Sequence, residues 1–310
     1  MRATRLIVNA DDFGMCRGIS DGIITAYRYG FLTSTSMMPN MPAAEYALSR
    51  LMDFPRLAVG VHLNICAGRP ILSPSEVRSL VDATGQFYSP QVMIRRLCTG
   101  RALGREICAE FRAQIRWMKD RGLPPTHADS HHHMHLYPAA VLPFVRALKA
   151  EGVLCARAPR CTVWNRSADS SLAARLGGPH EGSLVRCVAV RTYRNALHLG
   201  AFRGLRMPAS RLSFPSRARH DIDALGDQWL AALRTPQPGT FELTCHPGFF
   251  QRGFSETDAI HAQRERELNW LTSSDLRTAI DRSGIHLITY RDLADICAEE
   301  PASEREPALP

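Results

Sequence analysis

The chain has 310 residues, 45% hydrophobic and 22% charged, an ordinary globular composition with enough length to bury a core without staples. Its formal net charge is +8, but the basic residues, nearly all Arg, are scattered with no like-charge block and no aromatic-interleaved stripe, which argues against a nucleic-acid binder. Nine widely spaced cysteines without a C-x-x-C pair argue against a disulfide framework or zinc ribbon and for a reducing, cytoplasmic setting. The absence of a signal-peptide pattern or an apolar run of about 18 residues predicts no integral membrane segment.

Taken in order, Leu6–Val8 is a short apolar strand that runs straight into Asn9-Ala10-Asp11-Asp12-Phe13-Gly14. Gly18–Tyr29 has helical spacing and stops at Gly30, Thr33–Met38 reads as a second strand, and Pro42–Leu51 as a helix with Pro in its first turn. Leu57–Val61 is a third strand that ends at His62. Strand, helix, strand, helix, strand at this spacing predicts parallel βαβ units.

Residues 64–104 break the rhythm and read as an insertion over the strand ends, with a helix near Pro90–Cys98. Arg105–Arg121 is an amphipathic helix, Thr126–Asp129 a fourth strand, Pro138–Glu151 a helix and Val153–Arg157 a fifth strand. Residues 158–216, Arg- and Pro-rich, read as a variable substrate-loop region with helices near Asp169–Leu176 and Asn195–Gly204. Beyond them Asp221–Arg234 is helical, Gly239–Thr244 is a strand leading into Cys245-His246-Pro247-Gly248, Thr257–Leu271 and Ser274–Arg282 are helices, Ile285–Thr289 is the last strand, and Arg291–Cys297 the last helix. The expected organisation is one domain over residues 1–297, with insertions near 64–104 and 158–216 and a disordered tail at 298–310.

Thr126–Pro138 concentrates five of the twelve histidines within nine residues, beside an Asp. If extended, His127, Asp129, His131, His133 and His135 share one face and His132 takes the other. Such a density of imidazoles points to a divalent metal. Asp11-Asp12, Gly60-Val61-His62-Leu63-Asn64, Asp129-Ser130-His131 and Cys245-His246 all sit at predicted strand ends, which converge on one face in parallel α/β folds. One Asp and two His with open positions make a usual catalytic metal set. If Asp12 binds the ion, Asp11 is free to take a proton from water, and His246 could protonate a leaving amine. A thiol-nucleophile reading of Cys245 is rejected, because adjacent strand residues point to opposite faces.

I-V-N-A-D-D-F-G at 7–14, T-S-T-S at 33–36, G-V-H-L-N at 60–64, T-H-A-D-S-H-H-H-M-H at 126–135 and C-H-P-G at 245–248 resemble the YdjC/ChbG family of carbohydrate deacetylases. The resemblance implies an α/β, irregular (β/α) barrel of the glycoside hydrolase/deacetylase type and metal-dependent removal of an N-acetyl group from an amino sugar. Carried over by position, it implies Asp12, His62 and His131 as metal ligands, Asp11 as base, and His246 as acid or oxyanion stabiliser. His133, His135, Asn64 and Arg157 become candidates for orienting ligands or facing substrate. The ion is Mg2+ or Zn2+, left open because nitrogen and oxygen donors suit zinc, manganese or cobalt at least as well. The Arg-rich middle matches nothing in the pattern and allows an anionic sugar, and a homo-oligomer remains open. The rival readings are a phosphoesterase on the same scaffold and a non-catalytic carbohydrate-binding protein.

Overall fold

The computed structural model describes residues 4–163, 184–213, 238–254, 258 and 260–299. The elements are β1 (Thr4–Phe13), α1 (Arg17–Tyr29), β2 (Ser34–Met37), α2 (Ala44–Leu51), β3 (Ala58–Leu63), α3 (Pro90–Cys98), α4 (Gly104–Lys119), β4 (Ala128–Ser130), α5 (Pro138–Ala150), β5 (Cys161–Val163), α6 (Leu184–Leu199), β6 (Ser210–Ser213), β7 (Gly239–Cys245), α7 (His261–Leu271), α8 (Ser274–Ser283), β8 (His286–Leu287) and α9 (Tyr290–Glu299). The strands form one parallel sheet in the order β4-β3-β2-β1-β7-β6-β5, with β8 paired to the start of β1. The central strands are buried on both faces, as parallel strands covered by helices must be.

The sheet curls until its two edges meet through residues 155–156. Ala156 bridges to Ala128 of β4, and Cys155 bridges to Arg206, just before β6. The architecture is therefore the expected α/β type, an irregular barrel joined across one side by isolated bridges. The predicted fifth strand, Val153–Arg157, is found as these isolated parallel bridges, with backbone hydrogen bonds to both neighbours, and the regular ladder with β6 begins later, at Cys161. The helix expected at Asn195–Gly204 lies earlier, ending at Leu199. Helices expected at Asp169–Leu176 and Asp221–Arg234, and the tail from residue 300, lie outside the described residues.

The insertion after β3 is laced to one face of α4. Glu106 Oε2 accepts from the Ser79 N–H (2.7 Å), and Glu110 accepts from the Ile71 and Leu72 N–H groups (2.8 and 3.0 Å). Gln114 exchanges hydrogen bonds with the Asn64 backbone (2.9 and 2.6 Å). Residues four apart on a helix lie one above another, so this is a single polar stripe reading the insertion's backbone. Asn64 completes it: its side-chain amide donates to Ala67 O and Asn40 Oδ1, and its Oδ1 accepts from the Cys66 N–H. Asn64 is wholly buried and shapes this turn.

Candidate metal and catalytic site

Adjacent residues in a regular strand point to opposite faces, yet Asp11 and Asp12 both reach the same cluster. The register of β1 against β2 shifts between Ala10 and Phe13, and Asp12 has a left-handed backbone, φ 71°. A bulge of this kind re-aims a side chain beside a site, and a non-glycine residue at positive φ is held there only by its surroundings.

Asp12 Oδ1 lies 3.4 Å from His62 Nε2 and 3.0 Å from His131 Nδ1. The ligand atoms of these three residues all fall within 4.8 Å of one another. Oδ1 itself is buried and forms no hydrogen bond among the described residues. An orphaned carboxylate oxygen facing two imidazole nitrogens is the arrangement a divalent cation would complete, so these side chains fit the expected ion. His62 is turned correctly for this, because its other nitrogen, Nδ1, lies 2.8 Å from Asp129 Oδ1. A carboxylate behind a ligating histidine fixes ring orientation and tautomer. Burial opposes charge on His62, but Asp129 and Asp11 outweigh it and raise its pKa to about 10.

Arg157, 1% exposed, is the hub beneath. Its guanidinium grips both oxygens of Asp11 (2.8 and 2.6 Å) and also reaches Asp129 Oδ2 (2.7 Å) and Glu242 Oε1 (2.9 Å). Burial would raise the Asp11 carboxyl, and the Arg157 charge reverses that and holds it below the usual range. Glu242 goes the other way: burial dominates and its pKa is raised. Ser36, from the T-S-T-S segment, donates to Asp129 Oδ2 (3.1 Å) and lies 3.4 Å from Asp11 Oδ1.

His246 follows β7, its side chain about one-third exposed, with Nε2 3.9 Å from Asp11 Oδ2. Its backbone N–H donates to Glu267 of α7. The loop behind it packs directly on α1: a Cβ on Gly22 would come 2.5 Å from Gly248 Cα. Cys245 points inward, its Sγ 3.4 Å from Asn9 O, with burial pushing the thiol well up; a buried, protonated thiol is inert.

The structure thus brings Asp11, Asp12, His62, His131 and His246 together. It corrects the extended reading of the histidine run. After Ser130 the chain turns into a 3-10 segment, His131–Leu136, with His132 and His133 in left-handed conformations (φ 52° and 53°), so alternation stops. His135 is buried, 2.5 Å from Ser130 Oγ, and its ring stacks on Phe144 in the core. His133 turns to Arg211, 2.6 Å away. His127 stacks on Tyr290 and lies against Gly60, where any Cβ would strike its ring. Arg157 is buried and binds the carboxylates from below. Asp129 and Ser36, which hold the ligands, carry no assigned role in the sequence reading, and Glu242 and Arg264 are absent from it. Glu242 had a signal, an acid inside an apolar strand; Arg264, in the charged run Q-R-E-R-E-L, had none.

Residues 5–282 match the model of a family described as YdjC-like protein. A carbohydrate deacetylase of Geobacillus stearothermophilus is 32% identical, over 92% of this chain and 96% of the relative. A chitooligosaccharide deacetylase of Yersinia enterocolitica is 31% identical, over 93% of this chain and 98% of the relative. A crystal structure from Enterococcus faecalis, of a protein named for cellobiose-phosphate cleavage, superposes with a TM-score of 0.73 at 26% identity, covering 94% of this chain and 99% of that one.

Proposed function

The chain belongs to the YdjC-like protein family, and on that premise we propose that it is a divalent-metal-dependent hydrolase that removes an N-acetyl group from an amino sugar and releases acetate. The observation that carries this reading is the convergence of Asp12, His62 and His131 beside a second, ionised carboxylate, Asp11. Relatives named as deacetylases align over nearly their whole length, which favours a sugar amide over a phosphoester.

Asp12 Oδ1, His62 Nε2 and His131 Nδ1 would hold the ion, whose chemistry there is to acidify a water and polarise the acetyl carbonyl. Asp129 accepts the His62 Nδ1 proton in a hydrogen bond and so keeps Nε2 forward. Asp11 accepts a proton from the attacking water. The Arg157 fork takes one lone pair on each Asp11 oxygen and the Asn9 amide takes another on Oδ1 (3.0 Å), so the acceptor for that proton is Oδ2, the oxygen nearer His246. His246, partly open to solvent, delivers a proton to the departing amine. The free cysteines suit a reducing, cytoplasmic setting, and among the described residues no helix is long and apolar enough to cross a membrane.

The test is acetate release from N-acetylated oligosaccharides after chelation and after adding back Mg2+, Zn2+, Mn2+ or Co2+. Release that requires one of these ions is expected. Phosphate release from phosphosugars with no acetate from any N-acetyl sugar would overturn the reading.

A further inference from the structure

The Asp-Asp pair meets two buried arginines, and they bind it differently. Arg157 takes both oxygens of Asp11 with its two terminal nitrogens. Arg264, 4% exposed and carried by α7, takes only Asp12 Oδ2, through Nη2 at 2.8 Å. A guanidinium beside a carboxylate gains most from a two-point fork, and Arg264 does not make one. Its Nε is held by Asp258 Oδ2 at 2.6 Å, and its Nη1 forms no hydrogen bond among the described residues. Asp258 therefore anchors the guanidinium at an angle that leaves Asp12 Oδ1 open towards His62 and His131. Arg264 also ties in the His246 loop: its carbonyl accepts from the Gly248 N–H at 3.3 Å, and a Cβ on Gly248 would meet its Cδ, also at 3.3 Å.

We infer that Arg264 is a positioning residue that makes Asp12 a one-oxygen metal ligand, so that the two arginines divide the pair into a ligand and a base. The inference rests on the metal reading above. With Oδ2 clamped, Asp12 fills a single coordination position, and the others stay available to water and the substrate carbonyl. A cation near the ion's place also repels it, so the clamp lowers affinity while it keeps the site open. A merely structural ion pair makes the opposite prediction, since losing it would disorder Asp12 and weaken metal binding, by roughly 10- to 100-fold for partners that orient a ligand.

The experiment is calorimetric titration of the full chain with Zn2+ and Co2+, alongside steady-state acetate release, for the parent, Arg264→Met and Arg264→Lys. Arg264→Met is expected to bind the ion at least as tightly as the parent, to show a Co2+ absorption spectrum shifted to higher coordination number, and to lose kcat by roughly 10- to 100-fold with KM little changed. Arg264→Lys keeps a single charged donor and is expected to retain the parent's Co2+ spectrum even if the methionine variant does not fold. Ion binding tenfold weaker in Arg264→Met, or a Co2+ spectrum in folded Arg264→Lys shifted to higher coordination number, would overturn this inference alone. A parent that binds no divalent ion would overturn the metal reading and this inference with it.

Discussion

Two buried carboxylate clusters, one at the strand ends and one between α4 and the insertion after β3, resolve the cost of burial in different ways. In the strand-end site, Asp11, Asp12 and Asp129 each face a guanidinium or an imidazole, and the opposite charge overcomes burial and holds all three below the usual carboxylate range. Beneath the insertion, Glu110 has only neutral donors, the Ile71 and Leu72 N–H groups and Gln114. Burial wins there, and its pKa rises to about 7. Hydrogen bonds from amides locate a carboxylate, and a nearby cation can keep it charged in the interior, though Glu242, which shares Arg157 with two aspartates, still has its pKa raised by burial. The first cluster is built for chemistry on a permanent anion, the second for holding a loop.

Four substitutions break or sharpen that contrast. His62→Ala and His131→Ala each remove a donor from the charged cluster, and both should lose metal and turnover together, to the level of chelated parent, by calorimetry and acetate assay. Asp11→Asn keeps the shape but removes the anion; kcat should fall roughly 100- to 10,000-fold while the metal titration is unchanged. Arg157→Met converts the first cluster towards the second by leaving Asp11, Asp129 and Glu242 without their shared cation. A loss of about 3–5 kcal/mol in urea unfolding is expected, and a loss below about 1 kcal/mol would show that the carboxylates neutralise one another by protonation.

Glu110→Gln is the smallest change, and it reads the second cluster through pH. The folded Glu110 binds its proton more tightly than the unfolded side chain, about 7 against 4.5. Between those values the folded state holds more protons, so this group's stabilisation is full below about 4.5 and is lost as pH rises towards 7, amounting to roughly 3 kcal/mol. The three site aspartates have the opposite sign: their contribution is present above 3.8 and is lost as the solution becomes more acidic. Urea midpoints at pH 5 and pH 8 should converge in Glu110→Gln relative to the parent, and an unchanged difference would assign the slope elsewhere.

The parallel sheet was legible because buried strands write themselves as apolar runs such as Leu6–Val8, closed by polar residues at one end. The residues that meet at the site were legible for the same reason, since Asp11, Asp12, His62, His131 and His246 all sit at those ends. Side-chain direction was not. Alternation predicts one face for the histidine run, and the left-handed residues at His132 and His133 turn it aside. Alternation also separates Asp11 from Asp12, and the β1 bulge reunites them. Of the supporting cations, Arg157 was a candidate through the family resemblance, whereas Arg264 looks like any other arginine in a chain with so many, and only burial beside carboxylates distinguishes it. Asn64 likewise belongs to a sequence motif, yet its contacts serve a turn.

The contact between Gly22 and Gly248 makes the first helix and the His246 loop a single mechanical part. Because no side chain can be added at Gly22 without moving Gly248, alanine there acts as a wedge. It would displace an imidazole 224 positions later in the chain and, through the contact of Gly248 with Arg264, press on the arginine that holds Asp12. Anyone reshaping this enzyme for a different leaving group would find the adjustment screw on the far side of the loop, in the first helix.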